Sequence, residues 1–428
     1  MGNLEEALKI RDLAKQHNEL FRDSLPLIAS ENVMSPLAKE MLLTDLGHRY
    51  AEGLPHHRYY QGNYFVDLIE DFVIEKCRTL FRCRQVDPRP ISGTNANAAT
   101  IYGLLNPGDP ILTPSLSGGG HISAAKFGSV GIRGLNLDTF PFDPETMSVD
   151  PDQAIRKIRE FKPKVCLLGQ SVFLFPAPVK EISEAAREIG AKVWYDGAHV
   201  LGLIAGGRFQ DPLREGAELI TGSTHKTFPG PQHGIILGET DQETWKAVQR
   251  GVFPGTISNH HLNAMAALGV TAVEELEFGS KYASDIIDNA KTMAQELHSL
   301  GFNVLGEARG FTESHTLVAD VRSFGGGKKV AETLEKAGII LNKNMLPWDD
   351  SRNSQNPSGI RIGVQEITRI GFSKGEVKHV AELIRKAVSP DADLGSIRNA
   401  VKELKEQHRK TLYCFNGDDP YRYIELYG

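Results

Sequence analysis

The sequence is poor in cysteine, and the few cysteines it has are scattered. Its 428 residues include 4 cysteines, none of them in a C-x-x-C arrangement. A secreted disulfide framework needs a far higher density of paired cysteines, so that class of fold is excluded and a reducing cytoplasm is the simple expectation. The chain also lacks an HExxH motif, and the adjacent pairs His56-His57 and His260-His261 cannot easily converge on one ion. No metal site is predicted.

Long apolar runs and a strong excess of charge are missing as well. No stretch is long enough to span a bilayer, and the opening MGNLEEALKIRDLAKQHNEL is a charged amphipathic pattern without an apolar signal core. The formal net charge of −6 at pH 7 gives no reason to expect nucleic acid or an anionic membrane as a partner. We therefore expect a soluble, cytoplasmic protein that acts on small molecules.

What the chain does have is the composition of an ordinary globular protein, with 40% hydrophobic and 24% charged residues. Strand-like runs alternate with helical patterns up to residue 237, which predicts an α/β fold with a mostly parallel sheet. Helices at 263–300 lead to a second, α+β unit with a turn-rich segment at 346–363. We expect an N-terminal arm (1–55), a large domain (56–272) and a small C-terminal domain (273–428).

The most informative stretch is ELITGSTHKTFPGPQHGIIL at residues 218–237. Its first strand-like run breaks into small hydroxyl residues and presents Lys226 before a second run begins at Gly234. A lysine held between two buried strands is placed to lose its hydration. With a lowered pKa, it can attack a carbonyl as a free amine.

Upstream of this lysine, another strand-like run ends in Asp196, and His199 follows shortly after. That order is what a pyridoxal phosphate enzyme needs. Lys226 would bond to the cofactor aldehyde, and Asp196 would keep the pyridine nitrogen protonated so that the ring accepts electrons from a substrate carbanion. His199 can reach the ring hydroxyl. We therefore interpret Lys226 and Asp196 as the catalytic pair.

Two further segments are candidates for binding. The turn Ser92-Gly93-Thr94 opens a helix, where backbone N–H groups and hydroxyls make an anion site, although an ordinary helix cap would use the same residues. Residues 47–63, GHRYAEGLPHHRYYQGN, concentrate aromatic side chains in an irregular stretch. Such a stretch favours a binding role over a linker role.

Together and in this order, the motifs resemble the serine hydroxymethyltransferase family. They are LIASEN (27–32), RYAEGLP (49–55), RYYQGN (58–63), GGH (119–121), DGAH (196–199), STHKT (223–227), NKN (342–344) and SGIRIG (358–363). The resemblance covers most of the chain and is closest to the archaeal branch. It implies a fold-type I pyridoxal phosphate enzyme, with a large, mostly parallel sheet of the seven-stranded type and a smaller α+β C-terminal domain. The implied activity moves a one-carbon unit between serine and a reduced pterin.

The resemblance also implies roles for individual residues. Lys226 would hold the cofactor and Asp196 its ring nitrogen, with His225 acting beside the lysine. The remaining cofactor contacts would be His121 on the ring face, Ser171 and His199 at the ring hydroxyl, and Ser92, Gly93 and Thr94 at the phosphate. Ser30 and Arg361 would hold the substrate carboxylate, for which a bidentate guanidinium is suited. The pterin contacts would be Leu116, Gly120, Ile122 and Asn344.

Two of these assignments have simpler alternatives, and three others require a second subunit. Arg361 could form a surface salt bridge, and His121 could cap a helix. Tyr50, Glu52 and Tyr60 match family residues that enter the site from the neighbouring subunit, which implies a homodimer with shared active sites. Glu52 is the group expected to transfer a proton at the substrate hydroxyl. The one-carbon acceptor would be tetrahydrofolate or tetrahydromethanopterin.

Several positions depart from the common family pattern. They are His56 and His57 (usually a glycine and a basic residue), Gly197, Pro229, Gln232, His233, and Ser258 with Asn259. The histidines and Pro229 could alter what approaches the substrate Cβ or how a pterin tail binds. Two alternatives stay open. One is a pterin-independent threonine aldolase or transaldolase acting through the same glycine carbanion, and the other is a cofactor-less binding protein. Glu52 and Asn344 favour transfer to a pterin, whereas the intact cofactor residues oppose a binding protein.

Overall fold

The structure is a computed structural model that describes residues 2–350 and 355–427. Part of the predicted turn-rich segment, residues 351–354, therefore lies outside the described residues. The helices are α1 (Asn3–Arg22), α2 (Pro36–Leu42), α3 (Tyr64–Phe81), α4 (Gly93–Leu104), α5 (Ser129–Ile132), α6 (Pro151–Phe161), α7 (Val179–Glu188), α8 (Leu201–Ala205), α9 (Pro212–Glu215), α10 (Gln242–Arg250), α11 (Leu262–Ser299), α12 (Gly327–Lys336), α13 (Gln365–Arg369), α14 (Lys374–Ala387) and α15 (Leu394–Glu406). Among these described helices, none combines the length and the apolar character needed to cross a bilayer.

The strands are mostly short. They are β1 (Leu25–Pro26), β2 (Gly53–Leu54), β3 (His57–Arg58), β4 (Gln85–Asp87), β5 (Pro110–Thr113), β6 (Asn136–Thr139), β7 (Phe142–Asp143), β8 (Ser148–Val149), β9 (Val165–Leu168), β10 (Lys192–Asp196), β11 (Leu219–Ser223), β12 (Gly234–Gly238), β13 (Asn303–Val304), β14 (Thr316–Asp320), β15 (Ile339–Ile340), β16 (Asn342–Asn344) and β17 (Gly359–Gly363).

Seven strands form the main sheet, in the order β4-β12-β11-β10-β9-β5-β6. β12 runs antiparallel to both of its neighbours, whereas the other neighbouring pairs are parallel. Successive residues of β11, Leu219 and Ile220, belong to separate hydrophobic clusters, so both faces of the sheet are covered. The predicted α/β class with a seven-stranded, mostly parallel sheet is confirmed.

A second, antiparallel sheet has the order β13-β14-β17-β16. The N-terminal arm is joined to this part of the chain, because β1 pairs in parallel with β15. The helices predicted at 263–300 are one continuous helix, α11, so the predicted domain boundary at residue 272 falls inside it. The three-part division of the chain stays a prediction.

The fold brings the candidate functional segments to one edge of the main sheet. Four neighbouring strands of the sheet run in the same direction, namely β5, β9, β10 and β11. Their carboxyl ends therefore lie along the same edge of the sheet. In open α/β sheets ligands bind outside this edge. The segments that follow these strands contain His121, Ser171, Asp196 and Lys226.

Candidate active site

A cavity lies at the carboxyl ends of these strands. Its lining includes seven of the residues that the sequence predicted to hold the cofactor, namely Gly93, Thr94, His121, Ser171, Asp196, His199 and Lys226. Asn97, Gln170 and Ser223 also line it. Residues from five separate segments of the chain therefore converge on one small, largely enclosed space.

Lys226 is fixed in a turn between β11 and β12. The residues on either side are bonded to neighbouring segments, since Thr224 Oγ1 donates to the Pro231 carbonyl oxygen at 2.7 Å and Thr227 Oγ1 donates to that of His199 at 2.8 Å. Burial lowers the pKa of the Lys226 amine to about 8, with the Asp196 carboxylate opposing this shift and Arg361 adding to it. The amine is therefore far easier to deprotonate than an exposed lysine.

Asp196 is the last residue of β10, and N–H donors face both of its carboxylate oxygens. Oδ1 accepts from the backbone N–H of Ala198 at 3.0 Å, and Oδ2 accepts from the side-chain amide of Asn97 at 2.7 Å. These two hydrogen bonds fix the orientation of the carboxylate. A buried carboxylate held in this way is the group that a protonated pyridine nitrogen requires.

The two histidines in the lining are held by hydrogen bonds. His121 caps a short 3-10 helix (Ile122–Ala124), because its Nδ1 accepts from the backbone N–H of Ser123 at 3.2 Å. The capping role raised as the simpler alternative is therefore present, in a residue that also lines the cavity. His199 Nδ1 lies 3.4 Å from Nε2 of His315. Burial lowers the pKa of both lining histidines.

At the opposite end of the cavity the helix α4 begins. A side chain at Gly93 would clash, since its Cβ would lie 2.2 Å from Ser223 Oγ. The strand β11 can therefore approach the helix N-terminus closely, and it brings the Ser223 hydroxyl there. Ser92 accepts from the backbone N–H of Asn95 at 3.0 Å as the helix cap, and it is not part of the cavity lining.

Arg361 points from the second sheet towards the main sheet. Its Nη1 donates to the carbonyl oxygen of Ser171 at 2.8 Å, and its Nε donates to Asn342 Oδ1 at 3.2 Å. Burial lowers the pKa of this guanidinium to about 10. Its hydrogen-bond partners are neutral oxygens, which leaves its positive charge available to an anion.

Ser30 lies in the loop at 27–32, which is bonded to the end of β17. The backbone N–H of Gly363 donates to the Leu27 carbonyl oxygen at 2.9 Å. Gln365 Nε2 donates to the carbonyl oxygens of Ile28 at 2.8 Å and Glu31 at 2.7 Å. The loop is therefore joined by hydrogen bonds to the strand that carries Arg361 and to the residues that follow it.

Some predicted residues do not line this cavity. They are Ser30, Tyr50, Glu52, Tyr60, Ser92, Leu116, Gly120, Ile122, His225, Asn344 and Arg361. Tyr50 and Tyr60 are exposed, with their ring centroids 5.7 Å apart, and Glu52 is half-buried next to them in the sequence. Leu116 and Ile122 are exposed beside the cavity residue His121. His225 is half-buried, and burial together with Lys226 lowers its pKa to about 4.

Most of the positions that depart from the family pattern lie outside the cavity lining and contact other parts of the fold. His233 is fully buried and its Nε2 lies 2.6 Å from the Pro88 carbonyl oxygen. His56 lies in the turn between β2 and β3, 2.7 Å from Asp71. Asn259 brackets the segment at 49–51, since it donates to the Arg49 carbonyl oxygen and accepts from the Ala51 N–H, both at 2.9 Å. Pro229 is buried, and Gln232 is exposed.

Sequence analysis missed several residues around the cavity. Asn97 had a usable signal, because it stands one helical turn after Gly93 and therefore on the same face of α4. Gln170 directly precedes Ser171, and its Nε2 donates to the Gly118 carbonyl oxygen at 2.5 Å. His315 had no local signal, because its contact with His199 joins distant parts of the chain.

The groups present fit pyridoxal phosphate. The cavity offers a helix N-terminus with the Ser223 hydroxyl for a phosphate, an ionised carboxylate for a pyridinium nitrogen, and a buried amine of lowered pKa for an aldehyde. The close approach at Gly93 is the observation that favours this fit, since a side chain there would collide with the Ser223 hydroxyl at the end of the cavity where a phosphate would lie.

Comparisons with known proteins give the same picture. The family model described as serine hydroxymethyltransferase matches residues 5–384. A protein named serine hydroxymethyltransferase from Thermoplasma acidophilum is 66% identical, over 99% of this chain and 99% of its own length. Relatives with the same name from Picrophilus torridus and Methanocella arvoryzae are 64% and 49% identical. They match over 99% and 97% of this chain, and over 98% and 97% of their own lengths.

Proposed function

Since the chain belongs to the serine hydroxymethyltransferase family, we propose that it transfers a hydroxymethyl group between serine and glycine, with pyridoxal phosphate as cofactor and a reduced pterin as one-carbon acceptor. The family is one of fold-type I pyridoxal phosphate enzymes, and the protein is a transferase because the members of this family are hydroxymethyltransferases. The observation that carries the proposal is the buried amine of Lys226, of lowered pKa, which shares one cavity with Asp196 and His121.

In this proposal the cavity residues bind the cofactor. Lys226 would hold its aldehyde, Asp196 its ring nitrogen and His121 its ring face. Ser171 and His199 would contact the ring hydroxyl, and Gly93 and Thr94 would bind the phosphate together with Ser92, which caps the same helix outside the lining. When bound, pyridoxal phosphate supplies an electron-accepting ring that stabilises negative charge at the substrate Cα.

The substrate side is proposed to use the remaining residues. Arg361 and Ser30 bind the substrate carboxylate, which fixes the bond to be broken relative to the cavity. Arg361 suits this task because the Ser171 carbonyl and the Asn342 side chain hold its guanidinium in place. Glu52 carries a proton to or from the serine hydroxyl, assisted by Tyr50 and Tyr60. His225 supports the lysine beside it.

The acceptor is proposed to be tetrahydrofolate or tetrahydromethanopterin, bound near Leu116, Gly120, Ile122 and Asn344. Exposed apolar side chains beside the cavity support a flat aromatic ligand there, since Leu116 and Ile122 are 38% and 58% exposed. The pterin-independent aldolase is not favoured, because the relatives that match nearly the whole chain are named serine hydroxymethyltransferase.

A homodimer with shared active sites is part of the proposal. Glu52, Tyr50 and Tyr60 do not line the cavity of their own chain. The helix that follows them, α3, presents Phe65 and Phe72 at 73% and 45% exposure to an open apolar groove of about 1040 Å³. An apolar surface of this size favours burial against another protein surface, and a second copy placed there would bring the segment at 49–63 close to its partner. A cytoplasmic location is also proposed, since the cysteines are free thiols.

Conversion of serine to glycine in the purified protein tests the proposal. Protein reconstituted with pyridoxal phosphate is mixed with serine labelled with ¹³C at Cβ, and glycine is followed with tetrahydrofolate, with tetrahydromethanopterin and without any pterin. We expect glycine to form with one or both pterins, the label to appear on the pterin, and Lys226→Ala to abolish both. Equal glycine formation without pterin, or faster cleavage of threonine than of serine, would instead identify an aldolase.

A further inference from the structure

A continuous chain of buried side-chain hydrogen bonds lies beside the cavity, and we call it the Asn97 chain. In order it contains Trp194, Thr221, Asn97, Ser123 and His121, and a branch from Asn97 reaches Asp196. The members from Trp194 to Ser123 are buried, with Asn97 only 3% exposed. Water is therefore excluded from most of the chain, and each donor must be satisfied by a neighbouring side chain.

The first two links fix the direction of the chain. The indole Nε1 of Trp194 lies 2.9 Å from Thr221 Oγ1, and an indole N–H can only donate. Thr221 Oγ1 in turn lies 2.6 Å from the side chain of Asn97. Because the hydroxyl oxygen accepts from the indole, its hydrogen is free for Asn97. The atom of Asn97 that faces Thr221 is therefore the carbonyl oxygen.

The other end of the amide requires the same orientation. Asn97 Nδ2 lies 2.7 Å from Asp196 Oδ2, and an ionised carboxylate only accepts. If the Asn97 amide were reversed, its oxygen would face the Asp196 Oδ2 oxygen, and both of these atoms are acceptors. The Thr221 hydroxyl hydrogen would also lose its acceptor. The second hydrogen on Nδ2 goes to Ser123 Oγ at 3.1 Å.

The last hydrogen bond of the Asn97 chain joins Ser123 to His121, and its donor can also be identified. The Ser123 hydroxyl accepts from Asn97 and lies 2.8 Å from His121 Nδ1. The backbone N–H of Ser123 also faces Nδ1, at 3.2 Å, and a backbone N–H always donates. Nδ1 must therefore carry a lone pair, so the neutral ring holds its proton on Nε2. Burial lowers the pKa of His121 and so favours the neutral ring, while the hydrogen bonds select the tautomer.

We propose that Asn97 is a positioning residue that sets two cavity groups at once: it orients the Asp196 carboxylate, and it holds the Ser123 hydroxyl against Nδ1 of His121, where the Ser123 backbone N–H also requires the Nε2–H tautomer. Trp194 and Thr221 act at a distance by fixing the orientation of the amide. The consequence for the cofactor rests on the proposed function. The hydrogen-bond directions do not, because they follow from the protein alone.

The tautomer of His121 is measured first, in the cofactor-free full-length protein. ¹⁵N NMR of protein labelled at histidine distinguishes a protonated from an unprotonated ring nitrogen, and the spectrum of a His121→Asn variant assigns the signals. We expect one neutral tautomer with the proton on Nε2. A proton on Nδ1, or an even mixture of tautomers, would overturn the proposal whether or not the protein binds pyridoxal phosphate.

Variants then test the role of the chain in cofactor binding. Asn97→Ala removes a hydrogen bond to Asp196 and the support of the Ser123 hydroxyl, and we expect about 10- to 100-fold weaker cofactor affinity together with a shifted His121 Nδ1 signal. Thr221→Val keeps the side-chain shape and lies outside the cavity lining. By freeing the amide to reorient, it is expected to weaken cofactor affinity by about 3- to 10-fold and to perturb the His121 signal in the same way.

Thr100→Val is the matched control. Thr100 is also fully buried and lies on α4, but its hydroxyl donates to the Ala96 carbonyl oxygen within that helix at 2.9 Å. We expect cofactor affinity within about twofold of wild type and an unchanged His121 tautomer. If Thr221→Val behaves like Thr100→Val in both measurements, the proposal is wrong. Wild-type protein that binds no cofactor would instead refute the proposed function, and the tautomer would still decide the inference.

Discussion

The side-chain amide of Asn32 donates a hydrogen bond to the main-chain carbonyl oxygen of Lys226, and the two atoms lie 2.6 Å apart. The same nitrogen lies 2.9 Å from the hydroxyl of Tyr282, which donates to the Gln365 carbonyl oxygen at 2.8 Å. The loop at 27–32 is therefore joined both to the lysine segment and to α13, which follows β17. The position of the lysine depends on the N-terminal arm being in place.

Replacement of Asn32 by alanine should loosen the lysine segment without altering any group that lines the cavity. We expect about tenfold faster loss of cofactor, because a buried hydrogen bond is removed and the Lys226 carbonyl oxygen loses a donor. Release is followed by the visible absorption of the protein during dialysis. Asn18→Ala is the control, since Asn18 also donates to a carbonyl oxygen, that of Tyr421 at 3.0 Å, but far along the arm. Equal retention in the two variants would contradict this account.

Shared active sites predict that two inactive variants restore each other. Lys226→Ala removes the lysine from one chain, and Glu52→Ala removes the group that the partner would supply. When the two chains are refolded together, random pairing gives half mixed dimers with one intact site each, so about a quarter of wild-type activity should return. Activity that stays at the level of the separate variants would show that each chain uses its own Glu52.

The turn between β2 and β3 contains His56 with φ 63°, a left-handed conformation that favours glycine. Its ring lies 2.7 Å from Asp71. Both His56→Gly and His56→Ala lose this contact, but only glycine also relieves the backbone. We therefore expect the glycine variant to have a free energy of unfolding about 1 kcal/mol above that of the alanine variant in urea denaturation. Equal stability of the two would argue against strain at this position.

Glu275 should make the free energy of unfolding depend on pH, and the direction of this dependence follows from its raised pKa. Burial raises the pKa of this carboxyl from 4.5 to about 8, with Arg369 opposing and Glu274 adding to the shift. Between these two values the folded protein retains a proton that the unfolded chain releases, so its stability falls as the pH rises. Well below pH 4.5 the carboxyl is protonated in both states, and it no longer makes stability depend on pH.

The Glu275→Gln variant should not show the loss of stability that Glu275 causes as the pH rises. Denaturation at about pH 5 and about pH 8.5 should show the variant gaining stability over wild type by on the order of 3 kcal/mol between the two conditions. Glu277→Gln, at an exposed position of the same helix, is the control and should follow wild type at both. A constant difference between Glu275→Gln and wild type would mean that the carboxyl does not hold its proton.

Local periodicity was enough to predict much of the fold. Strongly patterned segments between turn residues predict helices at 64–81 and 374–387 and a strand at 165–168, and these are the bounds of α3, α14 and β9. The sequence did not predict that α11 is one helix, since its long pattern gives no sign of whether a break interrupts it. Pairings between distant segments, such as that of β1 with β15, leave no local signal at all.

The candidate site also contains some residues that the sequence could predict and others that it could not. Lys226, Asp196 and His121 could be predicted because each follows a strand or a glycine turn in a motif, and the cavity brings them together. Thr221 could not, because its importance lies in a hydrogen bond between different elements; the helical spacing from Gly93 indicates the face on which Asn97 lies but not its partners. The roles of Glu52 and its neighbours depend on a second subunit, so they stay a prediction.

The central claim is that Lys226 binds pyridoxal phosphate and that the enzyme transfers a one-carbon unit to a pterin. Its most direct test is the visible absorption spectrum of the reconstituted protein, recorded alone, with glycine, and with glycine and a reduced pterin. We predict a cofactor band that Lys226→Ala lacks and borohydride reduces, and a second, longer-wavelength band that grows strongly only when glycine and pterin are both present. A long-wavelength band with glycine alone that is indifferent to pterin would contradict the transfer to a pterin. The absence of any cofactor band would contradict the role of Lys226.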